Sequence, residues 1–72
     1  MRDDFLLKVG QCVRYIRIKK GISQEDLAYK AGLSQNSLST LERGLNNIKL
    51  KNLYNICRAM DCDLIELLSF KI

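Results

Sequence analysis

The 72-residue chain has no histidine, no tryptophan and no proline, and its only aromatic residues are three tyrosines and two phenylalanines. Each absence narrows what the molecule can do. Without histidine no Ser/His/Asp set can exist, and the side chain that most often moves protons near neutral pH is missing. The acids at Asp3-Asp4, Glu25-Asp26 and Asp61, Asp63 and Glu66 stand at helix starts or polar turns. Carboxylates there act as caps and dipole partners. The glycines Gly10, Gly21, Gly32 and Gly44 are spread along the chain and form no glycine-rich phosphate loop. An enzyme is not expected. The cysteines, Cys12, Cys57 and Cys62, are odd in number and include no Cys-x-x-Cys pair. They read as small hydrophobes in a reducing compartment, not as a disulfide framework or a metal site, and no cofactor is implied. The longest unbroken apolar run is Phe5-Leu6-Leu7, against the roughly 20 residues of a membrane span. Asp3 and Asp4 stand where a signal peptide would carry positive charge. The expectation is a soluble cytoplasmic protein with no membrane partner and no small-molecule substrate.

What is present is a helical pattern. Hydrophobic residues make up 47% of the chain and charged residues 28%, the balance of a globular protein. A chain of this length holds one domain, 1–72, and buries only about 60% of its unfolded surface. Phe5, Val9, Cys12, Val13 and Ile16 recur at spacings of three and four, which predicts a helix over 4–20. Asp3 or Asp4 is placed to cap it, Lys19 and Lys20 suit its last turn, and Gly21 closes it. Gly10 costs about 1 kcal/mol relative to alanine in mid-helix; either it sits under a close neighbouring backbone or it is merely tolerated. Ser23 caps a second helix with Asp26 three residues on, and Leu27, Ala28 and Ala31 supply its inner face. After Gly32-Leu33, Ser34 caps a third helix to about Arg43, with Leu38 and Leu41 inward and Gly44 at its end. A fourth starts near Leu50 and carries Leu50, Leu53, Ile56, Cys57 and Met60 inward. A short strand over 48–51 is the alternative there, because apolar and polar residues alternate. Asp61-Cys62 breaks the fourth helix, and a fifth runs from about Asp63 to Phe70. The fold class is all-α, five helices in one compact domain.

The stretch from Gly21 to Gly44 is the most informative. Two helices joined by a short glycine-containing turn cross steeply, so only a small side chain such as Ala28 fits between them. This is the pattern of a helix-turn-helix, here over about 23–43, whose second helix enters the major groove of DNA.

At these residues the sequence resembles the phage-repressor-like, or Xre and Cro/cI type, helix-turn-helix proteins. The matching segments are Ile18-Lys19-Lys20-Gly21-Ile22-Ser23-Gln24-Glu25-Asp26-Leu27-Ala28, then Ala31-Gly32-Leu33-Ser34, then Leu41-Glu42-Arg43-Gly44. Leu53, Ile56, Ala59 and Met60 fit the family's fourth helix, so the resemblance spans nearly the whole chain. Among its branches the controller proteins of restriction–modification systems are most similar, through Phe5-Leu6-Leu7-Lys8-Val9 and small size. The resemblance implies a lambda-repressor-like fold with helix 3 as the reading helix. Gln35 and Asn36 then occupy base-contacting positions, with Ser34, Ser37 and Thr40 beside them. Their chemistry agrees, because a side-chain amide donates and accepts together, as adenine N6 and N7 require. That helix offers no arginine for a bidentate guanine contact. By the same resemblance Gln24 bridges a phosphate and helix 3. Ser23 opens helix 2, where free backbone N–H groups suit a phosphate. Arg43, Asn46, Asn47 and Lys49 follow helix 3 along the DNA backbone; their alternative is a solvated loop, and Asn46 could instead reach a base edge. Arg17 and Glu42 match the family's structural ion pair between helices 1 and 3.

Charge is unevenly placed: residues 1–20 carry +4, residues 21–44 carry −1, and the remainder +1. The reading unit itself is slightly acidic, so salt-dependent affinity should come from its flanks. In the tail, about 61–72, Leu64, Ile65, Leu67, Leu68, Phe70 and Ile72 are more apolar side chains than one short helix buries. Leu64, Ile65, Leu68 and Phe70 are the candidate homodimer interface; the alternative is that Phe70 folds back over the core. The leading reading is a homodimeric regulator binding a palindromic operator in double-stranded DNA. An antitoxin-type autorepressor with a toxin partner, or an interaction module that binds no DNA, are its alternatives.

Overall fold

Sixteen residues, Asp4–Lys19, form α1; the remaining helices are α2 (Gln24–Ala31), α3 (Gln35–Glu42), α4 (Leu50–Met60) and α5 (Leu64–Leu67). The computed structural model describes residues 4–70, and among them there is no strand. Residues 48–51 are therefore not extended. Leu50 opens α4 with its side chain 70% exposed, against the inward position its spacing suggested, while Ile48 packs against the core from the preceding loop.

Helix ends follow local chemistry. The Ser23 hydroxyl accepts the Asp26 N–H, and the Ser34 hydroxyl accepts the Ser37 N–H, each at 3.0 Å. Each satisfies one of the orphan donors of a first turn. The C-termini of α1 to α4 close alike, each with a left-handed residue just beyond the helix: Gly21, Gly32, Gly44 and Asp61. At α2 the Gly32 N–H bonds the Tyr29 carbonyl and the Leu33 N–H bonds the Ala28 carbonyl, the paired closure of a Schellman motif. The strain of a side chain at φ 73 falls on no residue, because position 32 is glycine. The cap expected from Asp3 lies outside the described residues, and Asp4 is itself the first residue of α1.

All five helices contribute to one core. Val9, Val13 and Ile16 meet Leu27, Ala28 and Ala31, Leu38 and Leu41, Leu53, Ile56, Cys57 and Met60, and Leu67. Ala28 is 2% exposed at the crossing of the helix-turn-helix. Gly10 faces the end of α3 so closely that a Cβ there would collide with the Leu41 carbonyl oxygen and lie 2.7 Å from that of Glu42. A passing backbone thus accounts for a glycine in the middle of a helix.

The fifth helix is one turn, shorter than the span to Phe70 that its apolar spacing suggested. Beyond Leu67 the chain bends: the Ser69 hydroxyl donates to the Glu66 carbonyl, and the Phe70 N–H to that of Leu68. The bend sets the Phe70 ring 6.0 Å from the Phe5 ring. The tilted aromatic pair adds to the apolar burial at the first turn of α1. Ile72 falls outside the described residues.

Candidate nucleic-acid interface

The three residues between α2 and α3 leave α3 lying across α2, with Leu38 and Leu41 in the core. Since the apolar stripe uses one side of α3, the other side must be solvent-facing. Ser34, Gln35, Asn36 and Ser37 are exposed there and Thr40 is half-buried. Their hydrogen-bonding capacity is unequal. Ser34 uses its hydroxyl internally, accepting the Ser37 N–H and donating to the Ser37 hydroxyl at 2.8 Å. The Thr40 hydroxyl donates to the Ser37 carbonyl at 2.9 Å and accepts from the Asn46 amide. Gln35 and Asn36 have no side-chain hydrogen bond to any described residue. Two side-chain amides and the Ser37 O–H are thus the groups of this face with donors to spare.

The loop after α3 is held against the same face. Asn46 is tied to Thr40, and Ile48 is anchored in the core, while Asn47 and Lys49 stay exposed. Arg43 ends α3 with its side chain outward, resting its Nε 3.4 Å from the Ser39 carbonyl. Lys49 precedes α4, whose first turn receives no side-chain cap. Arg43 and Lys49 are the cations flanking α3.

Beneath the face lies an ionic brace. Arg17 of α1 donates from Nε to Glu42 Oε2 at 2.7 Å and from Nη2 to Oε1 at 3.1 Å, a two-pronged contact. Its Nη1 donates to the Ile22 carbonyl at 3.0 Å. Gln24, at the start of α2, donates to Glu42 Oε1 at 3.2 Å. One carboxylate on the last turn of α3 therefore joins α1 and α2, and Arg17 ties in the linker between them. Glu42 is 6% exposed and is the one buried charged residue among those described.

Two features of this region were not visible in the sequence. Lys20, read as a partner for the end of its own helix, sends Nζ to the Met60 and Asp61 carbonyls at 2.7 and 2.8 Å. It caps α4, and no spacing rule links residues 20 and 60. The Thr40–Asn46 brace likewise joins a helix residue to a loop residue whose conformation no local pattern specifies. An open concavity lies elsewhere, lined by Lys8, Cys12, Tyr15, Lys19, Glu66 and Phe70 among others, and it shares no residue with α3. At the tail, Ile65 is 84% exposed and Leu64, Leu68 and Phe70 are half-buried.

Comparison with known proteins follows the same geometry. A helix-turn-helix family model matches residues 13–67. Over 71 residues the chain is 38% identical to control protein C.BamHI of Bacillus amyloliquefaciens, covering 97% of this chain and 88% of that protein. It is similar in structure to the restriction–modification controller protein C.AhdI from Aeromonas hydrophila, at 40% identity and TM-score 0.85, with 88% of this chain and 96% of that chain covered. The clp gene regulator ClgR from C. glutamicum matches at 28% identity and TM-score 0.86, covering 89% and 83%. The chain belongs to the phage-repressor-like, Xre-type helix-turn-helix family of transcription regulators.

Proposed function

We propose that the protein is a sequence-specific DNA-binding regulator of the restriction–modification controller type, acting as a homodimer on a palindromic operator. One observation carries this reading: Gln35 and Asn36 are exposed side by side on α3 with their amides unspent, over a helix braced rigidly from below. Each amide can pair with the N6 and N7 edge of adenine, discriminating by about 1–3 kcal/mol. Ser37 adds a donor, and Ser34 and Thr40 hold the first turn and the loop beside them. Ser23, Gln24, Arg43, Asn46, Asn47 and Lys49 contact phosphates and set the register. Gln24 is supported in this by its bond to Glu42, which fixes the amide at the start of α2.

One such unit reads a few base pairs. Two units on a two-fold axis read half-sites about 34–36 Å apart. Ile65, with Leu64, Leu68 and Phe70 around it, forms the self-complementary patch that joins them. It regulates by occupancy in the cytoplasm, either blocking polymerase or offering it a surface.

Selection from random-sequence DNA at two salt concentrations, with the Gln35→Ala/Asn36→Ala double variant alongside, tests the reading. The wild type is expected to enrich a roughly palindromic site that the variant loses. No enrichment even at low salt refutes it in favour of an interaction module, and a second protein co-purifying with the chain favours the antitoxin reading.

A further inference from the structure

Cys57 and Cys62 stand five positions apart, a spacing that by itself suggests no bond between them. The end of α4 brings them together. The Cys62 N–H donates to the Cys57 carbonyl at 3.0 Å and the Asp61 N–H to the Arg58 carbonyl at 3.1 Å, with Asp61 left-handed at φ 54. In this closure the side chains on either side of the turn meet. At α2 the corresponding residues are Ala28 and Leu33; at α4 they are the two cysteines, one on each side of the turn. Cys57 is buried and Cys62 half-buried, and both border a shallow cleft with Arg58, Asp61, Asp63 and Glu66. Cys12 does not border it.

We propose that Cys57 and Cys62 form a reversible dithiol–disulfide site, which a peroxide oxidant closes to staple the last turn of α4 to the start of α5. Hydrogen peroxide oxidises the more accessible Cys62 thiol to a sulfenic acid, releasing one water. The Cys57 sulfur then attacks the Cys62 sulfur; the S–S bond forms as the S–O bond breaks. The departing hydroxide takes the Cys57 proton and leaves as a second water. The two thiols have lost two electrons and two protons, and the peroxide has become two waters. A thiol reductant reverses the bond by exchange. Burial pushes the Cys57 thiol up to about 12 and raises that of Cys62 as well, although Cys57 and, less strongly, Lys20 draw the latter down. Both thiols therefore rest protonated near neutral pH, and the pair answers sustained oxidant slowly instead of scavenging it.

Peptide mapping tests the site on the intact protein. Reduced protein is treated with hydrogen peroxide under native conditions, free thiols are blocked with N-ethylmaleimide in denaturant, and tryptic peptides are weighed. Cleavage after Lys51 and Arg58 places the cysteines on peptides 52–58 and 59–71. The expected product is those two peptides cross-linked, with Cys12 blocked and the cross-link lost on adding dithiothreitol. Cys12→Ser retains the cross-link. Three blocked thiols, a bond involving Cys12, a link between two copies, or Cys62 carried to sulfinic acid beside a blocked Cys57 would each overturn the assignment. Because the bond shortens the free chain at the helix end, the oxidised protein should melt several degrees higher than the reduced. An equal or lower melting temperature would overturn the staple.

Discussion

Glu42 accepts from Arg17 twice and from Gln24 once, inside a position that is 6% exposed. Taking a carboxylate out of water is costly, and only this full set of donors offsets it. Removing the acceptor leaves the Arg17 guanidinium, itself 12% exposed, with the Ile22 carbonyl alone. Glu42→Ala is expected to cost about 3 kcal/mol. At about 4–8 °C per kcal/mol for a domain of this size, melting should fall by roughly 12–24 °C. A variant melting with the wild type would show that the brace contributes nothing. Cys57 gives a second prediction at this scale. Desolvation first, then Cys62, Asp63 and Glu66, push its thiol from 9.0 up to about 12. The native state holds the neutral thiol, while the unfolded chain ionises earlier, so the unfolded chain binds fewer protons above pH 9. This contribution is intact below about pH 9 and is lost as pH rises toward about 12. Under reducing conditions, urea midpoints at about pH 8 and about pH 10.5 should therefore fall further for wild type than for Cys57→Ala.

Among the elements, the helix ends are governed locally and the helix packing is not. Ser23, Ser34, Gly21, Gly32 and Gly44 mark ends that the structure places within a residue or two of the sequence reading. Asp61 closes α4 in the same left-handed way at φ 54, although it carries a side chain. Gly10 separates local propensity from packing. In an isolated helix Gly10→Ala would gain about 1 kcal/mol. Here the new methyl would meet the Leu41 and Glu42 carbonyls, backbone atoms that cannot turn aside. The expected outcome is a net loss of about 1–3 kcal/mol, measured as a lower urea midpoint. Stabilisation by the substitution would show that α1 and α3 can move apart freely.

For the whole molecule the distribution of charge outweighs its sum. The +4 resides in residues 1–20, whereas α3 carries amides and hydroxyls with Arg43 and Lys49 at its flanks. On the proposed function, base discrimination and salt-dependent affinity fall to different residues, and the salt slope of binding should be modest. The proposed homodimer is tested at this scale too. Ile65 is 84% exposed, so Ile65→Asp removes an apolar contact without disturbing the core. Sedimentation should show a monomer with unchanged helical circular dichroism and much weaker operator binding. An unchanged dimer would move the interface elsewhere.

Much of this molecule is specified by rules acting within a few residues. The five helices, the serine caps, the glycine ends and the buried stripe of Val9, Val13 and Ile16 all follow from period, capping and turn chemistry, which are local. Three things followed from folding alone. Leu50 turned outward, and of the two placements open for Phe70 folding took the one against Phe5, because the space available to each depends on distant elements. Lys20 reached α4 because helices far apart in sequence end side by side. Cys57 and Cys62 met because a left-handed turn at Asp61 bends the chain back on itself. Composition dismissed the cysteines as three scattered thiols, since a count carries no geometry; the closing turn of α4 supplies it.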